Sequence, residues 1–240
     1  MGKIYAGTSG WAYGSWKPKF YPRKLGASRY LNYYATRLNS VEVNYTFSKD
    51  VSAELLHGWV ADTPAEFVFA VKAHRRITHI KRLRGEALQA TADFLDSLER
   101  LREAKKLGPV LFQLPPNFKC DVPRLRDFLA VLPPGLRAAF EFRHESWFVE
   151  EVYGVLRGAG VALCRAESEK IVTPSVATAD FHYLRMRKPS NSARSVAQKV
   201  RRLAQSGDVF VYFKHEGTPE GAFNAEAVLR SASQKRAARN

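Results

Sequence analysis

Eight short apolar runs, separated by stretches with helical spacing, constrain this chain more than any other feature. They fall at residues 4–8, 40–45, 66–72, 109–114, 137–143, 161–165, 181–187 and 209–214 and are rich in Val, Phe and Tyr. Short runs of this kind are what buried parallel strands require, because both faces of such a sheet are covered. In 86–107, Leu88, Leu95, Leu98 and Leu101 form an apolar stripe that stops at Gly108-Pro109. Asp121 is placed to cap a helix ahead of Pro123, with Phe128, Leu129 and Leu132 as its apolar face. Ser146 is expected to cap a stretch through Val152, Val155 and Leu156 that ends at Gly158 and Gly160. Further helices are expected over 50–60, 192–205 and 220–229. Strands alternating with helices predict an α/β fold, and eight strands in this length predict a compact (β/α)8 TIM-type barrel. The first strand lacks the glycine-rich turn of a dinucleotide-binding open sheet, which argues against the doubly wound alternative. One barrel domain over 1–230 and a frayed basic tail over 231–240 complete the expected organisation.

Alternation along each strand then decides which side chains look inward. In 40–45, Val41, Val43 and Tyr45 take the helix-facing side, leaving Glu42 and Asn44 inside. The same parity turns Lys72 inward with Val68 and Ala70, and Gln113 with Leu111. It groups Glu141 with Arg143, Tyr183 with Arg185 and Arg187, and Tyr212 with Lys214. The expected mouth is therefore Glu42, Asn44, Lys72, Gln113, Glu141, Arg143, Arg185 and Lys214. Charges in a barrel interior need partners or a ligand. Pairing Glu42 with Lys72, and Glu141 with Arg143 or Arg185, leaves a cationic surplus that a phosphate or phosphodiester would satisfy. The competing reading is a closed ion-pair network that only fills the interior.

Several of these residues also carry a resemblance. The opening Gly7-Thr8-Ser9-Gly10-Trp11, with Trp16 and Phe20-Tyr21-Pro22, is followed by Val41-Glu42-Val43-Asn44 and Thr46-Phe47. Further on stand residues 67–72 with Thr78-His79, Gly108-Pro109 through Gln113-Leu114-Pro115-Pro116, Glu141-Phe142-Arg143-His144 with Ser146-Trp147, and Tyr212-Phe213. In this order and over nearly the whole chain, they resemble the YecE-like family, domain of unknown function 72. The resemblance implies a TIM-type barrel and a cytoplasmic protein, and no established activity. The family pattern has His-Gly after the arginine of the seventh strand and Asn and Asp after Tyr212-Phe213. Here Met186-Arg187-Lys188-Pro189 and Lys214-His215-Glu216 stand instead, which makes the mouth more cationic.

The formal charge of +15 points the same way, towards anionic partners. Two basic stretches stand out: six Lys or Arg in 72–84 and seven in 185–202. Both start at a strand end and together would suit a nucleic-acid track. A metal site could draw on Glu42, Glu141, His144, His215 and Glu216, but paired ligand spacing is lacking and the nearby cations repel a metal ion. No metal and no cofactor is therefore expected. His182 falls out of register with Tyr183 and should pack on a helix, while His57 should lie on a solvated helix face. Ser9 and Thr8 could bond phosphate or simply belong to a tight turn. Trp11, Tyr13, Trp16, Phe20 and Tyr21 could form a binding lid or a rim plug. Two cysteines are too few for a disulfide framework, no apolar run reaches membrane length, and the start lacks a secretory core, so a cytoplasmic location is expected. The leading expectation is an enzyme acting on an anionic, phosphate-containing small molecule. In it Glu42 and Glu141 serve as acid–base groups, Lys72, Arg143, Arg185 and Lys214 hold the anion, and Asn44 and Gln113 orient it. The alternative is a non-catalytic nucleic-acid-binding protein.

Overall fold

Nine strands and eight helices follow one another in a computed structural model that describes residues 1–167, 171–188, 193–214 and 217–237. The strands are β1 (Ile4–Thr8), β2 (Ser40–Val43), β3 (Val68–Lys72), β4 (Leu107–Gln113), β5 (Ala138–Glu141), β6 (Ala162–Leu163), β7 (Arg165–Glu167), β8 (Phe181–Met186) and β9 (Asp208–Phe213). The helices are α1 (Tyr30–Ala35), α2 (Ala53–Ala61), α3 (Ala87–Asp96), α4 (Glu99–Glu103), α5 (Val122–Leu129), α6 (Glu150–Gly158), α7 (Ala193–Leu203) and α8 (Glu220–Ala237). One sheet runs β1-β9-β8-β7 and the other β2-β3-β4-β5-β6, with parallel pairing throughout both. The chain is thus a mixed α/β fold of parallel sheets, arranged as in α/β barrel-like proteins. None of its described helices is long and apolar enough to cross a membrane.

The predicted inward parity holds. Ala70, Leu111, Ala139, Ala162, Cys164, Tyr183 and Tyr212 pack together as one interior cluster with Phe181 and Phe210. Their neighbours of opposite parity, such as Phe69, Val71, Phe112, Phe140 and Val211, belong to the larger core. Volume is shared unevenly across the interior. The second sheet contributes Ala70, Ala139 and Ala162, and the first fills the space with Tyr183, Phe181, Phe210 and Tyr212. Small against large lets two curved surfaces meet without voids.

Several contacts tie the sheets together. Ser9, just past β1, forms a parallel bridge with Glu42 of β2. Tyr212 OH lies 2.7 Å from Ser40 Oγ, and Tyr34 OH donates to Ser40 O at 3.0 Å while accepting from Thr8 N at 2.9 Å. At the other seam, β6 pairs with β5 while β7 pairs with β8. The single strand expected at 161–165 is therefore two, divided at Cys164, because the segment changes sheet there.

Other boundaries also move. The helix expected over 86–107 breaks between α3 and α4 and gives way to β4 at Leu107. Leu95, Leu98 and Leu101 are buried as expected, but Leu88 is 40% exposed, because the buried face of α3 is formed by Ala87, Thr91, Phe94 and Leu95. Asp121 does cap α5, accepting from Arg124 N at 3.1 Å. Ser146 does not cap α6; its hydroxyl accepts from Cys120 N at 2.9 Å, and Val149 precedes the helix. Helix α1 had no counterpart in the apolar periodicity. Helix α8 continues to Ala237, well into the segment expected to fray. His182 is buried against Ser206, Nε2 to Oγ at 2.9 Å, and His57 is exposed, both as expected. Trp16, Phe20 and Tyr21 are buried in a ring stack with Tyr30 and Tyr34, so this part of the aromatic cluster is a plug.

Candidate functional site

Parity places the polar strand-end residues on one side, and the fold gathers them at one mouth. A cavity of about 1130 Å³ opens there, and Asn44, Lys72, Gln113, Glu141, Arg143, Arg185 and Lys214 all contribute to its wall. Glu42 does not; it is wholly buried beneath the floor. Lys214 is exposed at the rim rather than turned inward, since β9 ends at Phe213. His215 and Glu216, weighed as metal ligands, lie outside the described residues, as does the expected helix start at Ser192. Among the described residues no group of three or more His, Cys, Asp or Glu is placed to hold a metal ion.

Glu42 is the hub beneath the cavity. Its Oε1 accepts from Ser9 Oγ at 2.7 Å, Arg185 Nη2 at 2.7 Å, Arg187 Nη2 at 3.1 Å and Asn44 Nδ2 at 3.3 Å. Its Oε2 accepts from Tyr183 OH and Arg185 Nε, both at 2.8 Å. Six donors exceed the roughly four lone-pair sites of a carboxylate. Burial alone would raise the pKa of Glu42, but Arg185 and Arg187 overcome it and hold the group far below the usual carboxylate range. Ser9 thus serves Glu42 instead of standing free for phosphate.

Glu141, on β5, receives Arg143 Nε at 3.1 Å and a close contact from Arg185 Nη1. Burial opposes ionisation here too, and Arg185, then Arg143, prevail, lowering its pKa to about 2. Arg185 therefore spans both carboxylates from the middle. Burial weakens its hold on the proton, but Glu141 and Glu42 reverse that and push its pKa well up. Arg187 adds a third guanidinium. It shares parity with Arg185 within the strand expected over 181–187, but the expected mouth did not include it.

Lys72 departs from expectation. It does not pair with Glu42. Its Nζ donates to Gln113 Oε1 at 2.8 Å and stands 3.8 Å above the Phe47 ring centroid. Burial, then Arg185, lowers its pKa to about 7 against the pull of Glu141 and Glu42. The bond to Lys72 also fixes the orientation of Gln113. Its Nε2 makes no well-formed hydrogen bond, though its dipole helps keep Glu141 ionised. Asn44 Oδ1 is likewise without a partner, its amide being turned towards Glu42.

Sequence reading missed His79 and Phe47 as wall residues. His79 sits on a π-helical turn, Arg76–Ile80, and meets Phe47 edge-on with ring centroids 4.9 Å apart. Burial and the positive charge of Lys72 and Arg143 drop its pKa to about 4. Two left-handed residues follow, Arg82 and Leu83 at φ 48° and 63°, and the burial of Leu83 anchors this bend. Irregular backbone of this kind carries no periodic signal in the sequence.

A parallel α/β scaffold with its polar and charged residues collected beyond the carboxyl ends of the strands defines a class of proteins that place a ligand site in that position. Within that class, the chain belongs to the family described as protein of unknown function DUF72, which it matches over residues 5–240. It is 32% identical over 158 residues to the UPF0759 protein YunF of Bacillus subtilis, covering 62% of this chain and 54% of the relative. It is 30% identical over 148 residues to the UPF0759 protein YecE of Escherichia coli, covering 61% and 51%. The matches thus span about half the length of these relatives. A DUF72 family protein from Thermotoga maritima superposes with a TM-score of 0.84 at 26% identity, covering 96% of this chain and 99% of that one. One from Enterococcus faecalis has the same fold, with a TM-score of 0.79 at 19% identity and coverage of 95% and 94%.

Proposed function

We propose that the two sheets close into a (β/α)8 barrel whose mouth is the active site of a cytoplasmic enzyme acting on a small, phosphate-containing anion. The Ser9–Glu42 bridge and the shared segment 162–167 support closure, and the two free thiols suit the compartment. One observation carries the functional reading. Three arginines converge on two carboxylates at a cavity that also contains a lysine with no carboxylate partner among the described residues. That balance is cationic, and an anion would complete it.

In this reading Glu42 and Glu141 are anchors rather than acid–base groups. Both stay ionised at neutral pH, and Glu42 has no lone pair free to take a proton. They hold Arg185 and Arg187 in place beneath the anion. Arg143, 43% exposed, and Lys214 at the rim meet it first. Asn44 and Gln113 orient it, and Lys72, near half-protonation at pH 7, exchanges protons with it. Calorimetric titration with inorganic phosphate tests this reading. The Arg143→Gln variant should bind about tenfold more weakly than the unaltered chain, a loss of about 1.4 kcal/mol. Equal affinity, or no binding by either, would overturn it.

The nucleic-acid reading keeps support from the first basic stretch, where Arg75, Arg76 and Arg84 are exposed. The second stretch offers less. Arg185 and Arg187 are committed to Glu42, Lys199 to Glu167 and Arg201 to Ser231. Oligonucleotide binding that falls steeply with salt and is lost on reversing Arg75 and Arg76 to Glu would favour it over the small-molecule site.

A further inference from the structure

We propose that the ε-amino group of Lys72 is a nucleophile that forms an imine with a small anionic aldehyde or ketone seated against the mouth arginines. This rests on the mouth being an anion site and names the substrate class it takes.

The argument begins with a comparison of two buried lysines. Lys106 is 4% exposed, and its Nζ donates three hydrogen bonds, to Val60 O at 2.8 Å, Thr63 O at 2.7 Å and Thr63 Oγ1 at 2.8 Å. Three acceptors engage all three protons of its ammonium form, although burial lowers its pKa as well. Lys72 is 8% exposed and has one hydrogen-bond acceptor, Gln113 Oε1, with the Phe47 ring on another side. Among the described residues no other acceptor fills the remaining directions, and the residue lines the cavity. Among the described residues, the carboxylates near enough to hold it as an ammonium are engaged elsewhere. Glu42 is held by Arg185 and Arg187, and Glu141 by Arg143 and Arg185. Burial beside guanidinium groups is the recognised way of freeing a lysine amine for nucleophilic attack, and a lowered pKa accords with it.

The chemistry balances without an added oxidant or reductant. The neutral amine's lone pair forms a C–N bond to the carbonyl carbon as the C=O π pair moves to oxygen. A proton passes from nitrogen to that oxygen, giving a carbinolamine. The C–O bond then breaks, the nitrogen lone pair closes the C=N bond, and the hydroxyl leaves with a second proton as water. Protonated, the imine carries a positive charge where the Phe47 ring face can stabilise it. The substrate's phosphate or carboxylate is held by the arginines that line the same cavity as Lys72, so recognition and reaction are adjacent.

The test is reductive trapping in the unaltered chain. The protein is incubated separately with dihydroxyacetone phosphate, pyruvate and acetone, each with cyanoborohydride, and digested for peptide mapping by mass spectrometry. The expected result is one adduct, at Lys72, formed at least tenfold faster with an anionic probe than with acetone and suppressed by inorganic phosphate. Lys72→Arg should carry none, and because the site is mapped in the unaltered chain, the outcome does not depend on how that variant folds. Adduct spread over surface lysines, or acetone labelling as fast as either anion, would overturn the proposal. Phosphate binding by calorimetry without any Lys72 adduct would remove the imine step and leave the anion site standing. Absence of both would remove the two together.

Discussion

Arg185 grips both carboxylate oxygens of Glu42 across 143 residues of sequence, Nη2 on Oε1 at 2.7 Å and Nε on Oε2 at 2.8 Å. The pair joins β8 of one sheet to β2 of the other, and its third nitrogen reaches Glu141 on β5. A planar fork satisfied on both edges is a rigid unit that a lysine could not reproduce. One guanidinium therefore sets the relative placement of three strands beneath the cavity.

Removing either partner should be costly. Glu42→Gln leaves Arg185 and Arg187 buried with one carboxylate fewer. The expected loss is roughly 3–5 kcal/mol, as for other buried pairs broken on one side. Urea denaturation measures it. A midpoint unchanged from the unaltered chain would mean that the network is solvated and contributes little.

The site also predicts that stability rises with pH in both the acid and the alkaline range. Glu141 titrates near 2 in the folded chain against 4.5 ordinarily, so the unfolded state binds more protons between these values. Its contribution is complete above about pH 4.5 and is lost as pH falls towards 2, on the order of 3 kcal/mol. Glu42 adds loss in the same direction. Lys72 titrates near 7 against 10.5 ordinarily, and here too the unfolded state binds more protons in between. Stability should therefore rise between pH 7 and 10.5 relative to Lys72→Met, in which that gain is absent. Thermal midpoints of the two chains across pH 6–10.5 check the sign; parallel curves would contradict it.

Gly7 and Gly58 should respond oppositely to alanine. A Cβ on Gly7 would fall 1.9 Å from Ser40 O and 2.7 Å from Tyr34 OH, inside the contact that seals β1 against β2. Gly7→Ala should destabilise by roughly 1–3 kcal/mol or more, because the obstacle is backbone. A Cβ on Gly58, exposed within α2, meets nothing within 4 Å. Gly58→Ala should stabilise by about 0.5–1 kcal/mol through helix propensity. Chemical denaturation of both variants provides the comparison.

Strand positions and the face each residue takes were legible because side chains alternate strictly along a strand. Alternation turned Glu42, Lys72, Gln113, Glu141 and Arg185 to one side before any contact was known, and it grouped Arg187 with them. It could not say which residue stands opposite which. The expected Glu42–Lys72 pair gave way to Glu42–Arg185, since distance across the interior depends on how the sheets curve towards each other. The division at Cys164, the π-turn that brings His79 to the wall and the lowered proton affinity of Lys72 likewise depend on the assembled structure. Local periodicity is a property of the backbone repeat and survives in the sequence; partner choice, burial and the field at a buried nitrogen arise from residues far apart in the chain and exist only once it has folded.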